Sequence, residues 1–150
     1  MPHCDTRYFG ATPYEPDSLI RMARGPLGFE QDNQFVLIQI PEQFPLVYMQ
    51  SVLTKDLCFL GLPVLTVASD YKLLLSPEDA ACIDVPRAPA LGSDALCLSL
   101  ITTNPEGPTA NLMAPVVVNL RTRIAAQCIN TAGGYSIQHP LCAEAEGVAA

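Results

Sequence analysis

The sequence predicts a mostly-β domain, a small antiparallel β-barrel or sandwich with one or two short helices. Its 150 residues are enough for one hydrophobic core, and 49% of them are apolar. Fourteen prolines and nine glycines are spread along the chain and leave little room for long helices. Because residues 142–150 are mostly Ala, Glu and Gly, we expect one domain over residues 1–141 and a disordered tail after it.

Nine segments have the composition of strands. They are rich in apolar and β-branched residues, and turn residues separate them. In the segment 46–52, alternation places Val47, Met49 and Ser51 on one face and Gln50 on the other. The predicted strands cover residues 6–9, 12–15, 18–23, 35–40, 46–52, 57–67, 95–103, 111–120 and 124–130.

Four short motifs predict three turns and a helix. The segment GPLG at 25–28 requires a sharp turn, and Gly10-Ala11 favours a tight hairpin between the first two strands. NPEG at 104–107 has proline at the second position of a β-turn and glycine at the fourth. Ser76 is a predicted helix N-cap, since Pro77 and two acidic residues follow it. The prolines at 86 and 89 limit the length of that helix.

The net charge is −7, from fifteen acidic and eight basic residues. The basic residues are scattered along the sequence, so no direct binding of nucleic acid is expected. An acidic surface favours a basic partner, although moderate negative charge also simply keeps a protein in solution. Six acidic residues in predicted loops are expected to be exposed: Asp17, Glu30, Asp32, Glu42, Asp56 and Glu106.

Nothing in the sequence predicts export or a membrane span. Residues 1–10 lack the apolar core of a signal peptide. The longest apolar stretch, 57–68, is too short to cross a bilayer and contains Gly61 and Pro63. We therefore expect a cytoplasmic protein with no membrane partner.

The six cysteines are expected to be reduced and mostly buried, since four of them lie in apolar stretches and none forms a C-x-x-C pair. His139 and Cys142 have H-x-x-C spacing, but a structural zinc site usually has four ligands, so no metal is expected. A Cys-dependent enzyme that uses His139 is the alternative function. No cysteine has a lysine or arginine beside it to activate it, and no phosphate-binding loop, cofactor site or small-molecule site is visible.

Five segments together resemble the FliW family of flagellar assembly factors. Their order and spacing agree with that family from about residue 5 to residue 141. In GPLGFE the Pro and Leu are exchanged relative to the family's turn. The segments are TRYFG at 6–10, GPLGFE at 25–30, YMQS at 48–51, NLMAPVVVNL at 111–120 and YSIQHPL at 135–141.

The resemblance implies a barrel-like fold, a cytoplasmic location, no enzymatic activity and no cofactor. It implies two protein partners, flagellin before export and the RNA-binding translational regulator CsrA. Flagellin would sequester the protein until export, after which the protein would capture CsrA and relieve repression of flagellin synthesis.

Polar residues within the matching segments are the candidate partner-binding residues. We expect them to be exposed, although each could instead satisfy backbone groups at a turn or pin the C-terminal segment. The candidates are Gln50, Ser51, Asn111, Asn119, Tyr135 and His139.

Overall fold

The computed structural model describes residues 2–141, so the predicted tail at 142–150 lies outside the described residues. Within that range the chain forms eleven strands and two short helices. The strands are β1 His3–Thr6, β2 Gly10–Pro13, β3 Ile20–Arg24, β4 Gln34–Ile38, β5 Val47–Ser51, β6 Cys58–Pro63, β7 Ala95–Thr102, β8 Thr109–Ala110, β9 Val116–Asn119, β10 Ile124–Gln127 and β11 His139–Pro140. The helices are α1 Val64–Val67 and α2 Pro77–Ile83.

Seven strands close into a barrel in the order β3-β4-β5-β6-β7-β9-β10, which confirms the predicted fold class. All neighbours pair antiparallel except β10 and β3, which are parallel. An odd number of strands cannot alternate direction all the way round a closed sheet, so one parallel pair is unavoidable. The barrel is therefore antiparallel except at the seam between β10 and β3.

Residues 2–141 form two apolar cores, one inside the barrel and one on its outer face. Val116 and Val118 point into the barrel, whereas Val117 packs outside it, under the segment that carries α1 and α2. Strand β9 is thus buried on both faces, which explains an apolar run without alternation. The barrel core consists of Ile20, Met22, Phe35, Val47, Met49, Leu98, Val116, Val118 and Ala125.

The N-terminal hairpin forms, but its turn lies at residues 7–9 and not at Gly10-Ala11. The Thr6 hydroxyl donates to the Gly10 carbonyl at 2.8 Å and accepts from the Phe9 N–H at 2.8 Å. This side chain closes a three-residue loop, and Gly10 takes the left-handed conformation that the first residue of β2 requires (φ 69°).

Two predicted strands are too long, because local hydrogen bonds end them. Residues 64–67 form α1, where the Thr66 hydroxyl donates to the Pro63 carbonyl at 2.7 Å. Residues 111–115 form a turn in which Asn111 Oδ1 accepts from the N–H groups of Met113 and Ala114, at 3.2 and 2.9 Å. Strand β9 therefore begins only at Val116, and the short strands β8 and β11 were not predicted.

The predicted helix and the predicted turns at 25–28 and 104–107 are confirmed. Ser76 Oγ accepts from the Asp79 N–H at 3.0 Å and caps α2. The helix ends at Ile83 because Asp84 adopts a left-handed conformation (φ 58°), before the prolines are reached. In the turn at 104–107, the Gly107 N–H donates to the Asn104 carbonyl at 2.9 Å. None of the described helices has the length and apolar character needed to cross a membrane.

The directions of the strands determine at which end of the barrel each loop lies. The pairings of Phe35 with Ser51 and Gln50 with Cys58 place loop 25–33 and turn 52–57 at one end, called the Ser51 end. The pairings of Ala95 with Asn119 and of Ile124 with Arg21 place turn 120–123 at the other, called the Asn119 end. Loop 39–46 also lies at the Asn119 end.

Candidate functional site

Gln50 organises the turn between β5 and β6. Its Nε2 donates to the carbonyls of Ser51 at 3.0 Å and Lys55 at 3.2 Å, and more weakly to that of Thr54. The exposure of Gln50 is 0%. One face of β5 lines the barrel core, and Gln50 lies on the other face with Tyr48, which the N-terminal hairpin covers through the ring contact of Phe9 with Tyr48. The expectation that Gln50 is exposed is therefore wrong. Its buried amide stabilises the turn through these hydrogen bonds.

Ser51 ties that turn to loop 25–33, and it too is fully buried, contrary to expectation. Its hydroxyl donates to Asp32 Oδ1 at 2.7 Å and accepts from the N–H groups of Leu53 and Thr54 at 3.1 and 3.0 Å. The Thr54 hydroxyl donates to the same Asp32 oxygen at 2.8 Å. A single carboxylate oxygen of Asp32 thus joins the two loops by hydrogen bonds.

An open cavity of about 270 Å³ lies on this surface, lined by Phe29, Asp32, Thr54, Asp56 and Leu57. We call it the Phe29 cavity. The Phe29 ring stands edge-on to Phe59 at 5.5 Å, and Phe59 contacts the core residue Phe35 at 6.0 Å. These contacts fix a ring that is still 44% exposed.

The Phe29 cavity combines an apolar floor with an acidic rim. Beside it, Leu53 in the same turn is 64% exposed. Fixed apolar side chains in a concave surface suit an apolar segment of a partner. Sequence reasoning did not single out Phe29; the available signal was an aromatic residue placed directly after a glycine-bounded turn.

The predicted acidic surface is present at both ends. Glu30, Asp56 and Glu106 are exposed at the Ser51 end, and Asp17 and Glu42 are exposed at the Asn119 end. Asp32 differs from the expectation: it is half-buried, because its carboxylate accepts the hydroxyls of Ser51 and Thr54.

Asn119 is buried at the opposite end of the barrel, also contrary to expectation. Its Nδ2 donates to the carbonyls of Ile83 at 2.8 Å and Asp84 at 3.0 Å. Its Oδ1 accepts from the N–H groups of Arg121 and Thr122 at 2.8 and 3.2 Å. All four bonds hold α2 against the turn between β9 and β10, so Asn119 is a structural linker in this chain.

The remaining candidates are half-buried and lie in the C-terminal part of the fold. The Tyr135 ring packs on Tyr71 at 4.4 Å, and its hydroxyl accepts from the Lys72 N–H at 2.9 Å. His139 lies in β11, opposite Ala110 of β8. Asn111 caps its own turn as described above. The structure does not bring these residues together with Gln50, Ser51 or Asn119 in one site.

The five cysteines within residues 2–141 are free thiols, and Cys142 lies outside that range together with its H-x-x-C pairing. Cys4, Cys97 and Cys128 are buried, whereas Cys58 and Cys82 are half-buried. Burial raises the pKa of Cys58 to about 11 and that of Cys128 to about 12, and it also raises the pKa of Cys97. Raised values oppose the thiolate that a nucleophile needs. No group of three metal-ligating side chains occurs in the described part of the chain.

Comparison with known proteins gives a match over nearly the whole chain. The model of the family described as FliW protein matches residues 3–141. The chain belongs to the FliW family. Flagellar assembly factor FliW of Bacillus licheniformis is 31% identical over 142 residues, which are 93% of this chain and 96% of that protein. The protein of the same name from Bacillus subtilis is 28% identical over 141 residues, with the same coverage.

A solved FliW structure has the same fold. The crystal structure of the flagellar assembly factor FliW superposes with a TM-score of 0.80 at 27% identity, covering 93% of this chain and 96% of that one. The predicted resemblance to the FliW family is thereby confirmed.

Proposed function

We propose that this chain is a non-enzymatic, cytoplasmic flagellar assembly factor that binds flagellin and CsrA. The observation that carries the proposal is the match to the FliW family over residues 3–141, together with relatives named flagellar assembly factor. The protein acts as a chaperone for flagellin before export and as an antagonist of CsrA, so that flagellin synthesis follows export.

The Phe29 cavity is the proposed flagellin site. A flagellin segment that packs against other subunits in the filament is amphipathic. Before assembly its apolar face must be shielded from solvent by another protein. The exposed side chains of Phe29 and Leu53, together with the half-buried Leu57, would pack against that apolar face. The hydrogen bond between Ser51 and Asp32 holds the two loops of this surface together. Gln50 and Ser51 thus contribute to binding by shaping the turn, without touching the partner.

Acidic residues of the Ser51 end support the proposed binding of CsrA. An RNA-binding regulator presents positive surface to phosphate, and Glu30, Asp56 and Glu106 present negative charge on one end of the barrel. Lys55, in the same turn as Asp56, offsets part of this charge. Opposite potentials speed the encounter, and the bound acidic surface repels incoming RNA.

The half-buried residues Asn111, Tyr135 and His139 stay candidates for further partner contacts. Asn111 directly follows β8, and His139 lies in β11, which pairs with β8. The loop that carries Glu106 directly precedes β8. Asn119, by contrast, is assigned the linking role described above, at the opposite end.

A capture experiment tests the proposed cycle. The chain is immobilised and exposed to CsrA, with and without prior saturation by monomeric flagellin. Capture of CsrA by the free chain and reduced capture after flagellin support the cycle. Failure to retain either protein contradicts the function, whereas full simultaneous retention of both contradicts the exchange between them.

A further inference from the structure

Three arginines that are scattered in the sequence converge on one cavity at the Asn119 end. Arg21 lies in β3, and Arg121 and Arg123 lie in the turn between β9 and β10. The parallel seam brings them together: Arg21 pairs with Ile124, and its N–H donates to the Arg123 carbonyl at 3.0 Å. Three of the chain's eight basic residues thus line one concave surface of a protein with net charge −7.

Two of these guanidinium groups have no carboxylate partner within residues 2–141. Arg121 pairs with Asp84 at 2.8 Å, and both side chains are exposed. Arg21 and Arg123 form no ion pair in the described range, and Asp17, which lines the same cavity, lies outside ion-pair distance of both. Positive charges gathered without neutralisation in a concave surface raise the local potential and attract an anion.

The turn that carries two of the arginines is held in place before any ligand arrives. Asn119 Oδ1 accepts from the N–H groups of Arg121 and Thr122, and the Asn119 carbonyl accepts from the Arg123 N–H at 2.8 Å. Arg123 adopts a left-handed backbone (φ 64°), which is uncommon for a residue other than glycine and sets the direction of its side chain. A fixed turn lowers the entropic cost of binding.

The lining indicates the class of anion. The cavity has a volume of about 540 Å³, which lies within the range of about 300–1,000 Å³ for ligand sites. Arginine presents a planar fork that matches a carboxylate. The negative charge of Asp17 opposes a doubly charged phosphate more than a singly charged carboxylate, and Leu19 and Ile124 offer apolar contact beside the arginines.

We propose that this cavity binds a carboxylate group of a peptide segment, with a neighbouring apolar side chain against Leu19 and Ile124. It is a second contact surface for a protein partner, separate from the Phe29 cavity at the other end of the barrel. The proposal therefore does not depend on the proposed flagellin and CsrA binding.

The test is a titration followed by nuclear magnetic resonance of the arginine Nε–Hε groups. Three probes are compared at equal ionic strength: acetyl-Leu-Glu-Leu-amide, the uncharged acetyl-Leu-Gln-Leu-amide, and inorganic phosphate. The glutamate peptide is expected to shift the Arg21 and Arg123 signals saturably at millimolar concentration, and the glutamine peptide is not. Equal effects of the two peptides, or no saturable shift, would overturn the proposal. Shifts with phosphate but not with the glutamate peptide would also overturn it and would identify the cavity as a phosphate site.

Variants localise the binding. The double variant Arg21→Gln, Arg123→Gln is expected to weaken binding of the glutamate peptide by about tenfold or more, since charge-assisted bonds are lost. The matched control Lys72→Gln removes an exposed charge outside the cavity and is expected to leave binding unchanged. Unchanged binding by the double variant would refute the assignment, and the backbone spectrum of each variant shows whether it is folded. If the double variant does not fold, the single variant Arg123→Gln and the comparison of the two peptides decide the question.

Discussion

The hydroxyl of Ser51 lies 2.7 Å from Asp32 Oδ1 and donates a hydrogen bond to it. The same hydroxyl accepts from two backbone N–H groups of the turn between β5 and β6. One buried side chain thereby joins two loops, through residues that are nineteen positions apart in sequence. The shape of the Phe29 cavity depends on this bond, because Asp32 and Thr54 both line it.

Removing that bond is expected to destabilise the protein. Ser51→Ala leaves two N–H groups without their acceptor and removes a donor from Asp32, so we expect a loss of about 1–3 kcal/mol in the free energy of unfolding. Urea unfolding followed by circular dichroism measures the change. The control Ser93→Ala alters an exposed serine and is expected to change stability by less than about 0.5 kcal/mol. Equal stability of the two variants would show that the Ser51 bonds contribute nothing.

Two asparagines are expected to respond differently to the same substitution. Asn119 uses both its donor and its acceptor atoms, whereas Asn111 uses only its Oδ1 as an acceptor. Asn119→Asp removes two donated bonds in a buried site, and we expect it to cost about 1–3 kcal/mol. Asn111→Asp keeps both accepted bonds and is expected to cost less than about 0.5 kcal/mol. Thermal unfolding of the pair decides, and a greater loss at Asn111 would contradict these roles.

The half-buried thiol of Cys58 predicts a loss of stability at alkaline pH. Burial raises the pKa of Cys58 from 9.0 to about 11, so the unfolded chain releases that proton first. The contribution of Cys58 is therefore fully present below pH 9.0 and is lost as the pH rises towards about 11. Urea unfolding across this range is expected to show a shallower decline for Cys58→Ala than for the unmodified protein. Parallel declines would show that this thiol is not responsible.

Thiol labelling tests the prediction that the cysteines are reduced and mostly buried. Because Cys4, Cys97 and Cys128 are inaccessible, the native protein is expected to react slowly at these positions and to show all six thiols only after denaturation. One cysteine that reacts far faster than a free thiol would instead support the Cys-dependent enzyme. Protein purified from cytoplasm with an intact disulfide would contradict the reduced state.

Charge reversal tests how the protein antagonises CsrA. The variant Glu30→Lys, Asp56→Lys, Glu106→Lys reverses exposed acids of the Ser51 end without touching Asp32, which the turn needs. We expect binding of CsrA to weaken on adding salt, and the variant to lose more of its inhibition of RNA binding than of its affinity for CsrA. A gel shift with CsrA and its RNA measures the inhibition. Undiminished RNA release by a variant that still forms the complex would favour steric occlusion.

The sequence contained enough information for the fold class but not for the details of its edges. Turn residues and apolar runs predicted the barrel strands, because both signals are local in the chain. The hairpin turn differs from the prediction at Gly10-Ala11, because the Thr6 hydroxyl closes a loop at residues 7–9. The predicted strand at 111–120 is too long, because the side chain of Asn111 accepts hydrogen bonds from the backbone of Met113 and Ala114 and holds them in a turn.

The candidate site was harder to predict, because burial and convergence are properties of the folded chain. Gln50, Ser51 and Asn119 are buried, and their side chains link backbone segments by hydrogen bonds. Their polar character alone indicates exposed positions, so the sequence does not reveal this burial. The convergence of Arg21 with Arg123 depends on the parallel seam, which no local pattern reveals.

Calorimetric titration with monomeric flagellin tests the central claim most directly. The unmodified chain and the control Phe44→Ala, which removes a 75% exposed ring at the Asn119 end, are expected to bind flagellin saturably and equally well. Phe29→Ala and Leu53→Ala are expected to weaken binding by about tenfold or more, since each removes apolar contact area at the Phe29 cavity. No binding by the unmodified chain at micromolar concentration would contradict the proposed function. Equal binding by all four proteins would contradict the assignment of the site.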